Sequence, residues 1–518
     1  MNARLLLTAA RCAGKNRALA LGVQRLIATS FPTEVPPDAL LLIGAAEGKK
    51  SPASGGDIRQ SRKIYPNRAL IKKTMKRRTF IKNASLAALG ASALGIMGAH
   101  SNPPVFGNNL RVNEQRIVTR MAELAKFGLD DAGRGYRVAY TKGDIEGRAW
   151  FMEQMKRAGL DPVVDAAGNI IGKRKGKNQS LKPIAFGSHL DMVPDGGNYD
   201  GPLGSISALE VIDVLNENKK LTKHPLEVII FANEEGGTVG SMAMAGGLTA
   251  DGLQQKSQSG LTVAEGIKAI GGNPDQIQSC IRKKGDLRAW LELHIEQGGI
   301  LERENVQIGV VEGIVGIVHW EVTVEGVANH AGTTPMHLRQ DALLAASRLV
   351  IAVNEVVNSV KGNQVGTIGR VAATPNAYNV IPGKVVLGLE VRDLSAERIE
   401  ALFREIEKRA AAIAAASKTT IRFDRQANAS KPALTNQALQ QTVNSAAKAL
   451  GLSTKFMQSG AGHDSQEIAL IAPVAMIFVP SVGGISHSHQ EFTKPGDVAN
   501  GANVLLQTIL SIDQEKEE

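Results

Sequence analysis

The stretch Leu181–Gly204, LKPIAFGSHLDMVPDGGNYDGPLG, limits the fold more than any other part of the chain. Its apolar run Ile184–Phe186 ends in His189-Leu190-Asp191, and Asp200 follows on a glycine-rich loop. A buried strand of this kind delivers an imidazole and a carboxylate from its carboxyl end into one crevice. Asp191, two residues past His189, is placed to accept the second ring N–H and fix the tautomer, as metal-bound histidines usually require. By itself, a His/Asp pair on a loop is more often solvated than metal-binding. The metal reading needs the motifs that follow.

Upstream, Asn113–Lys126 sets Ile117, Met121, Leu124 and Ala125 near helical spacing, and Asp144–Ala158 reads as a second amphipathic helix. Pro162–Gly172 alternates as a strand. A strand at Ile184–Gly187, a helix at Gly204–Asn216 and a strand at Leu226–Ala232 continue the alternation. This is the pattern of an α/β sheet, whose ligands sit beyond the strand carboxyl ends. The strand LEVIIFA runs straight into Asn233-Glu234-Glu235-Gly236-Gly237. Two adjacent carboxylates at the end of a buried strand are costly unless a cation or proton holds them. Neighbouring side chains point apart, so one can ligate a metal while the other faces a substrate; a solvated acidic turn is the plainer alternative. In Trp290–Gly298, WLELHIEQG, alternation sets Glu292, His294 and Glu296 on one face, with Gln297 at the turn. A lone strand histidine is usually structural, but beside His189 it becomes a candidate ligand.

The texture changes near Val315. Strands at Val318–Val324, Gly366–Ala372, Lys384–Arg392 and Thr420–Asp424 alternate with helices at Asp341–Val360 and Ser395–Ser417. The order β-α-β-β-α-β is the ferredoxin-like arrangement, here an inserted module. It carries His330 in NHAGTTP, Asn379 in NAYNVIP and Arg392 in EVRD. Arg392 at a strand end suits a substrate carboxylate or an ion pair with a neighbouring acid such as Asp393. The first texture then returns with a helix at Gln437–Leu450, the tight loop SGAGHD bearing His463, a strand at Ala475–Val479, and GISHSHQE before a final helix at Pro495–Ile512. Either His487 or His489 serves as a last ligand on local sequence.

The fold class expected is therefore α/β: a catalytic domain with a mixed, mostly parallel sheet flanked by helices (109–314 and 424–514), plus an inserted α+β module (315–423). The 518 residues are too many for one core. The formal charge of +10 misleads, because residues 1–100 hold 17 Lys and Arg against 4 Asp and Glu. The remainder is slightly acidic, so nucleic acid is not an indicated partner. Cys280 alone lies in the globular part, which excludes an internal disulfide there. Residues 1–74 are basic and acid-poor without an apolar period, and read as a disordered extension. Met75-Lys-Arg-Arg-Thr-Phe-Ile-Lys82 and the Ala/Gly/Leu run to Ala99 resemble a twin-arginine export signal over 75–100. That signal implies a periplasmic protein started at Met75; if it is unused, the protein stays cytoplasmic. The apolar run is shorter than the roughly 20 residues of a membrane anchor.

His189, Asp200, Glu235, His294 and His487 together form a five-ligand set in which one carboxylate can bridge two ions. Mixed imidazole and carboxylate ligation suits Zn²⁺, Mn²⁺ or Co²⁺. The motifs GSHLD, GNYDG, NEEG, LELHIEQG, NHAGTTPM, PNAYNVIPG, EVRD, SGAGHD and HSHQE occur in this order. Their ensemble, from Asn109 to Ile512, resembles the dinuclear-metal amidohydrolases that include N-carbamoyl-L-amino-acid hydrolases, allantoate amidohydrolase and β-ureidopropionase, within the aminoacylase and carboxypeptidase-like metallopeptidase clan.

The resemblance implies that Asp200 bridges two divalent ions, with His189 and His294 on one and Glu235 and His487 on the other. It makes Glu234 the general base, with Asp191 orienting His189. His330, on a lid and dimerisation module, becomes the oxyanion stabiliser reaching across a homodimer. Gln297, Asn379, Arg392 and His463 become the holders of a ureido or carbamoyl amino acid. His489 departs from the family, which usually has proline there; Glu491, four residues after His487, aligns His487 as the ligand. A dipeptidase or deacylase of the wider clan is the nearest rival. A non-catalytic binding protein is a rival of another class, opposed by the presence of all five ligands and Glu234.

Overall fold

The computed structural model describes residues 109–426 and 429–515. The expectations of an extension over 1–74 and of an export signal over 75–100 fall outside the described residues. In chain order the first six strands are β1 (Asp161–Val164), β2 (Ile170–Arg174), β3 (Ile184–His189), β4 (Leu226–Phe231), β5 (Ala289–Ile295) and β6 (Ile308–Ile314). The next six are β7 (Gly316–Glu325), β8 (Asn329–His330), β9 (Val365–Thr374), β10 (Val380–Ile381), β11 (Lys384–Asp393) and β12 (Thr420–Arg425). The last three are β13 (Ala433–Leu434), β14 (Thr454–Ser459) and β15 (Val474–Val479).

The larger sheet has nine strands in the order β1-β2-β4-β3-β5-β15-β6-β13, with β14 also on β6. Its centre, β4, β3, β5 and β15, is parallel, and β1 and β2 join one edge antiparallel. Every residue of the four central strands is buried, since helices cover both faces. Alternation sorts β4 cleanly: Leu226, Val228 and Ile230 pack towards the helices Pro202–Glu217 and Pro495–Gln514, while Ile229 and Phe231 pack with Trp290 and Met244. Because these strands are parallel, their carboxyl ends open on one edge. That edge receives His189, Glu234, Glu235, His294 and the loop after β15.

One expectation is corrected. Pro162–Gly172 is not one strand but the hairpin of β1 and β2. The Asp165 carboxylate accepts the N–H groups of Ala167 and Asn169 at 2.9 Å each, an Asx-type turn that reverses the chain.

The smaller sheet is antiparallel in the order β12-β7-β11-β9. Helices Ala342–Ser359 and Ala396–Ser417 pack on Val318, Trp320, Val322, Leu387, Leu389 and Val391 from one face. The alternating residues His319, Glu321, Glu390 and Arg392 occupy the other. Strand order and helix placement are those of a ferredoxin-like unit. β8 and β10 form a separate ladder that brings His330 opposite Val380.

Candidate metal centre

Asp200 is the hub. It follows β3 on a loop and precedes the buried helix Pro202–Glu217. Its Oδ1 lies 3.1 Å from His294 Nε2 and 3.5 Å from His189 Nε2. Its Oδ2 lies 3.5 Å from His487 Nε2, which is in turn 3.4 Å from Glu235 Oε2. The ligand atoms of His189, Asp200 and His294 form one compact cluster, and those of Asp200, Glu235 and His487 form another. The two carboxylate oxygens thus serve different clusters. Glu234 stands beside the first, its Oε2 3.7 Å from His189 Nε2.

The two histidines near the carboxyl end occupy different positions. His487 faces Asp200 and Glu235, whereas His489 Nδ1 lies 3.1 Å from Asp195 on an exposed loop. His487 takes up the left-handed conformation (φ 51°), as do Asn233 (φ 53°) and Gln297 (φ 57°) beside the other site residues. Backbone strain concentrated around one crevice is characteristic of functional sites.

The donor set fits cations. His189 Nε2 and Glu235 Oε1 are buried without a hydrogen-bond partner. Burial opposes charge on His189, yet the carboxylates of Glu234, Asp200 and Asp191 outweigh it and hold the imidazole well above its ordinary value. Burial likewise raises Asp200, but His294, His189 and His487 hold it well below the usual carboxylate range. Burial and Asp200 push Glu235 up to about 7. The Asp200 hydrogen bond, against burial, takes His487 up to about 9. A centre that takes up protons this readily has an excess of negative charge for cations to neutralise.

Several residues have other partners than the sequence indicated. His189 Nδ1 meets the backbone carbonyl of Asp191 at 3.0 Å, while the Asp191 carboxylate is 3.8 Å away. That carboxylate instead accepts the N–H groups of Glu235 at 3.1 Å and Glu234 at 3.4 Å. Asp191 therefore ties the ends of β3 and β4 together. Gln297 donates to Asp200 Oδ2 at 2.6 Å and keeps its own carbonyl oxygen unpartnered. His463 is buried, bonds Ser459 Oγ at 2.8 Å and stands edge-on to the His294 ring at 4.6 Å. Burial, and next the neighbouring His294, hold it well below its ordinary value.

Arg392 is paired with Glu390, at 2.6 and 2.9 Å, and not with Asp393; it also donates to the Gly460 carbonyl at 2.6 Å. His330 and Asn379 are exposed on the smaller module, joined by the Ala331 N–H to the Asn379 carbonyl at 2.9 Å. His330 accepts the N–H groups of Gly332 and Thr333 on its Nδ1. Neither His330 nor Asn379 contacts the ligand clusters of its own chain.

Glu491 is a site residue that the sequence offered only as a marker. It is buried and accepts the N–H groups of Tyr199 (2.9 Å) and Asp200 (3.0 Å), and the Ser486 hydroxyl (3.0 Å). Ser486 also lies 3.0 Å from Asp200 Oδ2. Glu491 thereby clamps the Asp200 loop to the His487 loop. Its only signal was an acid four residues after His487, and nothing local shows that it reaches back to residue 200. Glu491→Ala is expected to weaken metal binding about 10–100-fold, read by chelator competition on purified protein.

Residues 185–511 match the Peptidase family M20/M25/M40. The chain belongs to this family. The N-carbamoyl-L-amino acid amidohydrolase of Geobacillus stearothermophilus is 38% identical over 408 residues, 78% of this chain and 99% of that protein. The ureidoglycolate hydrolase of Arabidopsis thaliana is 37% identical over 79% of this chain and 89% of its own. A crystal structure of an amidase of the hydantoinase/carbamoylase family from Burkholderia multivorans superposes with TM-score 0.74 at 37% identity, covering 79% of this chain and all of that one. Members of the M20/M25/M40 family use divalent metal ions, and the clusters around Asp200 are the residues here suited to hold them.

Proposed function

We propose that the protein is a metal-dependent amidohydrolase that cleaves the linear C–N bond of N-carbamoyl (ureido) amino acids, releasing the amino acid, CO2 and ammonia. The observation that carries this reading is the arrangement around Asp200: one carboxylate shared by two ligand clusters, with the Glu234 carboxyl beside them and outside both. The printed activities of the relatives support the substrate class.

Two ions per subunit fit the site. One would lie among His189, His294 and Asp200 Oδ1, the other among Glu235, His487 and Asp200 Oδ2. Zn²⁺, Mn²⁺ or Co²⁺ suits these donors. Bound there, such ions would supply a Lewis acid that lowers the pKa of a water and polarises the ureido carbonyl. Glu234 takes the proton of the attacking water and passes it to the leaving nitrogen. Burial holds its carboxyl well above the ordinary value, against the pull of His189. Gln297 reaches the ureido end, and Arg392 and Asn379 the carboxylate end. His463 backs the His294 ring. Metal-stripped protein resupplied separately with Mn²⁺, Co²⁺ or Zn²⁺ should release ammonia from N-carbamoyl-α-amino acids, N-carbamoyl-β-alanine or allantoate. Turnover of dipeptides alone would move it to the peptidase branch.

His330 completes the site from a second subunit in this reading. Helix Ala342–Ser359 buries Ala345, Ala346, Leu349 and Val353 on its sheet but exposes Leu343, Leu344, Val350 and Ile351. The adjoining β9 is an open sheet edge, which a second copy can extend. Mixing inactive His330→Ala with inactive Glu234→Gln protein should restore about a quarter of wild-type activity, because half the random dimers hold one intact site. No recovery would place His330 in its own subunit's site. Export by the twin-arginine route belongs to the same proposal, with the processed protein starting near residue 100.

A further inference from the structure

A cavity of about 340 Å³ opens on the helix-free face of the four-stranded sheet. This is within the range of small-molecule sites, which starts near 300 Å³. It exists because Gly369 and Gly388 line it without side chains; a Cβ at Gly369 would meet nothing within 4 Å. Its walls are two ion-paired groups, Glu390 with His319 (2.8 Å) and Glu321 with Arg370, together with Trp320, Leu389, Thr367 and Gln426.

The cavity adjoins Arg392. Glu390 lines it and holds the Nε and one terminal nitrogen of Arg392, and the other terminal nitrogen bonds Gly460. Three of the five N–H groups are thereby used. The remaining two, one on each terminal nitrogen, form an end-on fork for a further carboxylate. Gly460 is on the loop that carries His463 to the His294 ring, so Arg392 stands between the metal centre and the cavity.

We propose that the cavity receives the side chain of the substrate, and that its lining selects ureido acids whose side chains are polar hydrogen-bond donors. The inference rests on the reading that Arg392 holds the substrate carboxylate. The polar side chains of the lining include acceptors. Glu321 and Glu390 are carboxylates. His319 Nε2 lies 2.8 Å from Glu390, and its Nδ1 is buried without a partner. The guanidinium of Arg370 is committed to Glu321. An apolar side chain would dry these groups without replacing their hydrogen bonds, whereas an amide, ureido, hydroxyl or ammonium group would satisfy them.

The test compares kcat/KM of metal-loaded full-length protein on N-carbamoylglycine, N-carbamoyl-L-glutamine and N-carbamoyl-L-leucine. The glutamine derivative should exceed the leucine derivative by about tenfold or more. Gly369→Leu, which fills the cavity from open space, should lower the glutamine-to-glycine ratio by about tenfold, and His319→Leu should move preference towards leucine. A wild-type preference for leucine, or a glutamine-to-glycine ratio in Gly369→Leu within about twofold of wild type, overturns the cavity assignment while leaving the ureido-acid reading intact. Failure of the wild type on all three compounds overturns both.

Discussion

Glu234→Gln is expected to keep its metal and lose turnover by about 10²–10⁴-fold, the usual contribution of a positioned general base. The substitution preserves shape and removes only the capacity to hold a proton. Glu234 belongs to neither ligand cluster, although its Oε2 lies 3.7 Å from His189 Nε2. The raised affinity of Glu234 for a proton arises first from burial and next from its carboxylate neighbours Asp464 and Glu235, opposed by His189. Elemental analysis beside steady-state kinetics checks the two halves separately. Unchanged metal with a rate loss smaller than about tenfold would remove Glu234 as the base.

Gly201→Ala should be nearly as damaging, although the residue has no functional group. Gly201 caps the helix after Asp200 at φ 76° and ψ −56°, a positive-φ conformation that strains any residue with a Cβ. An added Cβ would also fall 2.3 Å from Cε1 and 2.4 Å from Nδ1 of His189. The ring sits where the methyl group would go, so a ligand has to move. The Gly201 N–H, 3.2 Å from His294 Nε2, moves with it. Metal affinity is expected to fall at least about 100-fold in chelator competition, beyond the usual effect of a supporting residue. Gly133→Ala is the control. It also has a positive φ, 75°, but no atom lies within 4 Å of the new Cβ, so it should bind metal like the wild type.

The sequence alone determined the larger part of the fold, for a local reason. The continuous apolar run in LEVIIF, the period-two alternation in Lys384–Asp393 and the helical spacing in Ala342–Ser359 are set by which sides of each element face a core. The parallel strands followed from helices between buried apolar runs, and with them the edge on which His189, Glu234, Glu235 and His294 gather. The two-sheet organisation was legible in the same way. The hairpin inside Pro162–Gly172 was missed because its Asx turn at Asp165 interrupts the alternation without a break in composition.

What only the tertiary structure decided lies in loops, whose positions no periodicity encodes. His487 and His489 look alike in sequence, and separate only because one loop meets Asp200 and the other side chain meets Asp195. Asp191 was placed beside His189 but spends its carboxylate on the backbone of Glu234 and Glu235, since β3 and β4 end side by side. Arg392 binds Glu390 because residues two apart on a strand share a face. Glu491 reaches Asp200 across 291 positions of sequence. Residue type shows which groups can hold a metal; the order in which parallel strands pack decides which of their loops meet, and so which groups share the site.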